Sequence, residues 1–303
     1  MKYRQLGNSG IEVSEIGAGT STISGQGTYG AVDETDGIAA VLRAFELGVT
    51  FFDTAQGYAE GRSEEALGKA LGNKPGVVIC TKVGGRAGPF TAESLRSAAE
   101  GSLRRLRRDA IDVYLLHNPA IEQISDPAVQ EALESLKTDG LVRSYGVSCV
   151  TRVAVEQGEE VIRQGGYTSM QVPLNIFQRQ VVDGLLPHAQ EAGVGVIARV
   201  PLASGLLTGK YTKETVFPEN DGRATGTIPR EQLEQEFGKL PALMEQASND
   251  GVPLVHAALA WTLSHSAVSS TIAGVKNEAQ AESNASASGV TLSAAFLELA
   301  RTL

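Results

Sequence analysis

Eight short, nearly continuous apolar runs alternating with helical patterns constrain this chain more than any other feature. The runs are Val13–Gly19, Thr50–Thr54, Val77–Val83, Val113–His117, Ser144–Cys149, Ser169–Leu174, Gly195–Pro201 and Ser270–Val275. Most are Val, Ile, Leu and Phe without strict alternation, the pattern of strands buried on both faces of a parallel sheet. Between them lie helical patterns. Asp33–Leu47 opens on an Asp cap and repeats apolar residues at Ile38, Val41, Leu42 and Phe45. Ser63–Leu71, Thr91–Leu106, Asp126–Thr138, Arg152–Gln164, Asp183–Glu191 and Val252–Ser264 follow, and Gly48, Gly140 and Gly193 stand at helix C-termini. Eight such units predict one α/β domain over residues 1–303, a (β/α)8 or TIM barrel.

Two stretches stand outside the repeat. Tyr3–Leu6, a Gly7–Gly10 turn and Ile11–Val13 predict a hairpin that could plug the lower end of the barrel. Ala203–Asp250, after the seventh strand, is long and Gly-rich, with helical pattern only near Arg230–Gln246. Loops of that length are usually functional, often lids. Thr291–Leu303 reads as one more helix.

The balance of charge narrows the partners. A net charge of −9 argues against nucleic acid or an anionic membrane surface, though a local basic patch can still hold a small anion. The two cysteines, Cys80 and Cys149, lie in apolar runs at no metal-ligand spacing, so a reducing, cytoplasmic setting is expected and no metal site. The N-terminus shows no secretory pattern, and no apolar stretch approaches a membrane span. The run Arg104, Arg105, Arg107 and Arg108, at a helix end, reads as a solvated face.

Within the barrel reading, Asp53, Lys82 and His117 fall at the C-terminal ends of strands two, three and four, and Tyr58 lies on the loop after Asp53. That end of a barrel is where active sites form. The residue types suit proton delivery. Tyrosine has a reference pKa of about 10, and a neighbouring ammonium stabilises a phenolate. Lys82 can supply that ammonium, Asp53 can hold Lys82 charged, and His117 can hydrogen-bond a substrate oxygen. Together they make a general acid for a carbonyl oxygen whose carbon receives hydride.

A competing pattern is Gly25-Gln26-Gly27-Thr28-Tyr29-Gly30, a G-x-G-x-x-G with Asp53 near the expected acidic position. Thr20–Ser24 separate it from the strand, however, and the helix cap at Asp33 lies beyond it. Eight units also exceed the usual six strands of a dinucleotide-binding sheet. The segment therefore reads as a flexible loop over the upper face, with Thr22–Tyr29 placed to influence specificity.

The segments GVTFFDTAQGYAEGRSEEALGKAL, ICTKVGG, SLRRLRRDAIDVYLLHNP, SYGVSC, MQVPLNIFQR and STIAGVKNEAQAESN resemble the successive signatures of the aldo-keto reductase superfamily. The resemblance covers nearly the whole chain. It implies NADPH-dependent reduction of a small-molecule carbonyl, with Tyr58 as general acid and Asp53, Lys82 and His117 as its partners. It also implies a nicotinamide site at Ser148, Cys149 and Gln171, with Gly19 and Thr20 nearby. Cysteine at 149 replaces an asparagine, and Arg199 stands where relatives commonly stack an aromatic ring. Asn175 matches a polar position often seen in this branch. Pro201, Leu202, Ser204, Gly205 and Leu206 are implied beside the pyrophosphate. Gly274, Lys276, Gln280 and Asn284 are implied at the adenosine phosphate, with Gln280 where many relatives have arginine. Two other functions stay open at this point: a non-catalytic nucleotide-sensing subunit, and a Schiff-base aldolase using Lys82.

Overall fold

A computed structural model describes the chain apart from residues 24, 28–29, 85–88, 220 and 226–227. Eight parallel strands close into a barrel: β1 (Ile16–Gly19), β2 (Phe51–Asp53), β3 (Val78–Gly84), β4 (Ile111–His117), β5 (Val142–Ser148), β6 (Ser169–Pro173), β7 (Gly195–Arg199) and β8 (Val268–Gly274). Neighbours in sequence are neighbours in the barrel, and β8 pairs with β1 to close it. Parallel neighbours require a crossover outside the sheet. The helices Glu34–Glu46, Arg62–Ala70, Ala92–Leu106, Pro127–Thr138, Ala154–Gln164, Leu185–Ala192 and Leu254–Leu263 supply it. Their starts follow from local chemistry: Asp33 accepts from Thr35 N at 2.8 Å, Asp126 from Ala128 N at 2.9 Å, and Thr91 forms a capping box with Ser94.

The interior is filled from below. Strands Tyr3–Gln5 and Glu12–Ser14 pair antiparallel around a tight turn at Gly7–Ser9. Leu6, Ile11 and Val13 then pack in one buried cluster with Phe51, Cys80, Val113, Leu115, Ile197 and Ile272 from inside the barrel. Each large apolar side chain so buried contributes about 1.5–3 kcal/mol. The turn fits because Gly7 has no side chain: a Cβ there would stand 2.3 Å from Gly195 N. Val13–Gly19, read as one run, is divided between the hairpin and β1. Between the two, Glu15 buries its carboxylate against Arg4 at 2.9 Å, Ser288 Oγ at 2.8 Å and Gly289 N at 3.0 Å.

Two other expectations are corrected. Gly25–Gly27 pairs antiparallel with Gly30–Val32, so this segment is a two-stranded ribbon and not a loop; Thr28 and Tyr29 lie outside the described residues. The basic run is not a solvated face at two of its positions. Arg105 pairs with fully buried Glu64 at 2.6 Å, and Arg108 with buried Asp112 at 3.1 Å. Glu64 lies on another helix, where local sequence does not reveal it; Asp112 is only four residues beyond Arg108 but lies on β4. The long segment after β7 begins as a short 3-10 stretch, Ala203–Thr208, and ends in the helix Arg230–Asn249. Among the described residues no helix is long and apolar enough to cross a membrane.

Candidate active site

The barrel register brings the strand ends to one level. Asp53 pairs with Gly19 on one side and Cys80 on the other, while His117 pairs with Gly84 and Ser148. Lys82, on β3, is fully buried. Its Nζ donates to Asp53 Oδ1 at 2.7 Å, to Thr54 O at 2.7 Å and to Tyr58 Oη at 3.3 Å. An ammonium has three protons, and all three are directed. Burial alone would lower the Lys82 pKa; the Asp53 carboxylate and Tyr58 outweigh it and raise it above its usual value. Lys82 is therefore a fixed cation.

Asp53 is held from its other oxygen as well. Gln171 Nε2, on β6, donates to Asp53 Oδ2 at 2.7 Å, and Ser148 Oγ donates to Gln171 Oε1 at 3.3 Å. A chain buried as far as Lys82 thus runs from Ser148 through Gln171 and Asp53 to Lys82 and ends at half-buried Tyr58. Buried polar groups that are fully partnered fix one geometry.

Tyr58 is aimed by a strained turn. Ala59 and Glu60 have φ of 49° and 59°, and Gly61 follows at 90°. Two successive non-glycine residues in the left-handed region cost about 1–3 kcal/mol each. The turn is held by Arg62 Nε donating to Ala59 O at 3.0 Å. Beneath it Ser63 Oγ lies 2.9 Å from Thr54 Oγ1 and donates to Thr20 O at 2.7 Å. Thr20 in turn donates from Oγ1 to Asp53 O at 2.8 Å. His117 faces Tyr58 edge to face, with ring centroids 6.0 Å apart. Its pKa falls to about 4, chiefly through burial, with Lys82 and Arg199 adding repulsion. A neutral imidazole offers one N–H and one acceptor nitrogen.

A cavity of about 490 Å³ opens above Asp53 and Tyr58; Lys82 lies behind them, and neither it nor His117 is among the lining residues. Asp53 and Tyr58 line one end; Lys276, Gln280 and Asn284 line the other. Gly19, Gln171, Arg199, Pro201, Leu202, Ser204, Gly205 and Gly274 also line it. Thr20, Ser148, Cys149 and Leu206 do not reach it. Thr20 and Ser148 serve the network behind it, Leu206 joins the core, and Cys149 is buried with its carbonyl accepting from Arg199 Nη2 at 3.0 Å. Arg199 also donates to Thr151 Oγ1 at 3.0 Å.

Lys210, Tyr211 and Arg223 line the cavity too, and sequence reasoning missed them. Arg223 pairs with Asp221 through Nε at 2.8 Å and Nη2 at 2.6 Å, and donates to Ser204 O at 3.0 Å. Its guanidinium lies 4.6 Å from the Tyr211 ring and 4.2 Å from the Phe217 ring. The signal that could have found it is an arginine beside Asp221 in a loop already flanked by two aromatics. At the far end Asn277 caps the helix Glu278–Ala285, Gln280 Oε1 accepts from Lys276 N at 3.0 Å, and Asn284 Nδ2 donates to Gly274 O at 3.2 Å. Burial lowers the Lys276 pKa, and Arg223 lowers it further against the opposing pull of Asp221.

The profile of the Aldo/keto reductase family matches residues 15–302. This chain belongs to the aldo/keto reductase family. As a member it is an oxidoreductase; several relatives are named as reductases or dehydrogenases, and one from Oryza sativa, 31% identical over 94% of this chain and 90% of that protein, as a probable voltage-gated potassium channel subunit beta. The chain is 29% identical to the aldo-keto reductase YhdN of Bacillus subtilis, over 96% of this chain and 90% of that protein. It is 30% identical to the NADH-specific methylglyoxal reductase of Escherichia coli, over 100% of this chain and 98% of that protein. Among solved structures it resembles the holo form of aldo-keto reductase AKR11C1 from Bacillus halodurans. The TM-score is 0.82 at 30% identity, covering 100% of this chain and 96% of that one.

Proposed function

We propose that this aldo/keto reductase interconverts an aldehyde or ketone and its alcohol with NADPH or NADP+, using Tyr58 as the proton donor and acceptor. The observation that carries the reading is the Lys82 ammonium set between the Asp53 carboxylate and the Tyr58 hydroxyl. Because Oη accepts from Lys82, the phenolic proton is left to point elsewhere, and Tyr58 lines the cavity. A bound reduced nicotinamide supplies hydride to the carbonyl carbon. The proton for the carbonyl oxygen comes from Tyr58. The phenolate that remains keeps a charge-assisted hydrogen bond from Lys82, and Asp53 balances the buried cation. His117, neutral above pH about 4, orients the same oxygen.

The cavity fits a dinucleotide on its own terms. Arg199, Lys210, Arg223 and Lys276 line it, a local positive trough in a protein of net charge −9. A Cβ on Gly274 would meet nothing within 4 Å, so this wall is bare backbone facing open space. Arg223 repels Lys276, Asp221 offsets part of that repulsion, and a phosphate beside the two cations would be attracted by both. We assign them to the nucleotide's phosphates, with NADPH preferred over NADH.

The alternative of a Schiff-base lysine is disfavoured. A nucleophilic amine needs a lowered pKa, and Lys82 is held as a cation with all three protons directed at oxygen.

The direct test is oxidation of NADPH by the purified protein against a panel of aldehydes and ketones; no turnover with any of them counts against the reading. For the cofactor, Lys276→Met is expected to weaken NADPH by about 10- to 100-fold, matching about 1.5–3 kcal/mol for a hydrogen bond to a charged group. NADH should weaken less. Equal losses for both, by titration calorimetry, would move Lys276 away from the distinguishing phosphate. For His117, kcat/KM is expected to stay flat on the acid side down to about pH 5 and to fall as pH drops through about 4. An inflection near 6.5, the ordinary histidine value, would show that His117 titrates like an exposed group.

A further inference from the structure

Val200 stands in a conformation that its sequence opposes twice. Its φ is +55°, in the left-handed region. A β-branched residue is a genuine outlier there. It also precedes Pro201, and a proline drives the residue before it toward extended backbone. Local preference therefore asks for an extended Val200, and something in the fold overrules it.

Two donors meet the Val200 carbonyl: Ala203 N, from the same turn, at 3.0 Å, and a side chain from the neighbouring strand's end. Asn175, just past the end of β6, is 1% exposed. Its Nδ2 donates to Val200 O at 3.0 Å and to Gln178 Oε1 at 3.2 Å. Its Oδ1 accepts from Phe177 N at 2.9 Å and Gln178 N at 3.0 Å. The amide is thus fixed by its own loop and projects one donor at the strained carbonyl. Leu174 N, the residue before it, donates to Arg199 O at 3.1 Å. The two residues after β6 therefore grip two successive carbonyls, Arg199 at the end of β7 and Val200 just past it.

What those carbonyls carry is a wall of the cavity. Arg199, Val200, Pro201 and Leu202 line it, followed by Ser204 and Gly205. Ala203, Ser204 and Gly205 have φ of 45°, 55° and 94°, so the turn is left-handed over most of its length. An extended Val200 would send this backbone along another path.

We propose that Asn175 is a positioning residue: its amide holds Val200 left-handed and so sets the wall from Arg199 to Gly205 against the bound nucleotide. Asn175 touches no reacting atom, and its hold on the wall passes through Val200. The proposal rests on the cofactor reading above for its functional consequence, and on backbone geometry for its cause.

The geometry defines a double-mutant cycle. Asn175→Asp keeps the acceptor for the Phe177 and Gln178 backbone but replaces the donor shared by Val200 O and Gln178 Oε1 with an oxygen. Val200→Gly removes the Cβ that makes the left-handed conformation costly. NADPH affinity is measured by titration calorimetry, and the thermal midpoint is recorded for all four proteins. N175D is expected to bind NADPH about tenfold more weakly, the equivalent of about 1.4 kcal/mol. In the V200G background the same change is expected to cost less than about threefold, the two sites being coupled. Equal losses in both backgrounds overturn the proposal. So does a lowered midpoint with unchanged affinity, which is what a purely structural asparagine gives. If N175D does not fold, N175D/V200G is expected to fold, and failure of both also overturns it. Wild-type protein that binds neither NADPH nor NADH refutes the cofactor reading instead. The cycle is then read in the midpoint alone, where V200G must shrink the loss caused by N175D.

Discussion

Tyr58→Phe is expected to lower turnover by about 10²- to 10⁴-fold, the usual contribution of a positioned general acid, while NADPH affinity stays unchanged. The substitution deletes one oxygen. The ring remains, 4.9 Å from Lys82 Nζ and edge-on to His117. Lys82 keeps Asp53 and Thr54 O as acceptors, so the buried cation is still partnered. The loss of one hydrogen bond costs about 0.5–1.5 kcal/mol of stability, and the protein should stay folded. What disappears is the O–H that faces the cavity. Steady-state NADPH oxidation gives the turnover, and calorimetry gives the affinity. Full turnover in Y58F would remove Tyr58 from the mechanism, and a large loss of affinity would make it a binding residue instead.

The site was legible where strand ends define it. Asp53, Lys82 and His117 each close an apolar run, and a barrel puts all such ends on one face. The direction of Tyr58 was not legible. It depends on Ala59 and Glu60 in a left-handed turn, and neither is a residue type that announces one. Arg223 was hidden for a different reason. Its partners Ser204 O, Tyr211 and Phe217 become neighbours only when the segment after β7 folds back on itself. Arg105 and Arg108 were misread in the same way, since their acids sit on other elements. The pattern is physical. Periodicity reports which face of an element is buried, but a buried charge is stabilised by a partner that only the fold brings into contact.

Lys82→Met tests that last point at the centre of the site. The Lys82 and Asp53 side chains are 0% and 4% exposed, and their charged atoms lie 2.7 Å apart. Removing the ammonium leaves the Asp53 carboxylate buried, with the neutral Gln171 amide 2.7 Å from its other oxygen. Breaking a buried pair from one side costs about 3–5 kcal/mol, because the surviving charge is uncompensated. K82M should therefore unfold at markedly lower denaturant than the wild type. Asp53→Asn added to it removes the stranded charge and keeps an amide oxygen able to accept from Gln171. K82M/D53N is expected to regain at least half of the lost stability. Neither protein should reduce carbonyls at more than a trace, because neither carries the ammonium that meets the Tyr58 phenolate. Urea unfolding followed by fluorescence, alongside NADPH oxidation, separates the two effects. A K82M protein as stable as the wild type would mean that the pair is not buried as the barrel places it. Recovery of turnover together with stability in the double variant would mean that Lys82 serves the fold and not the proton.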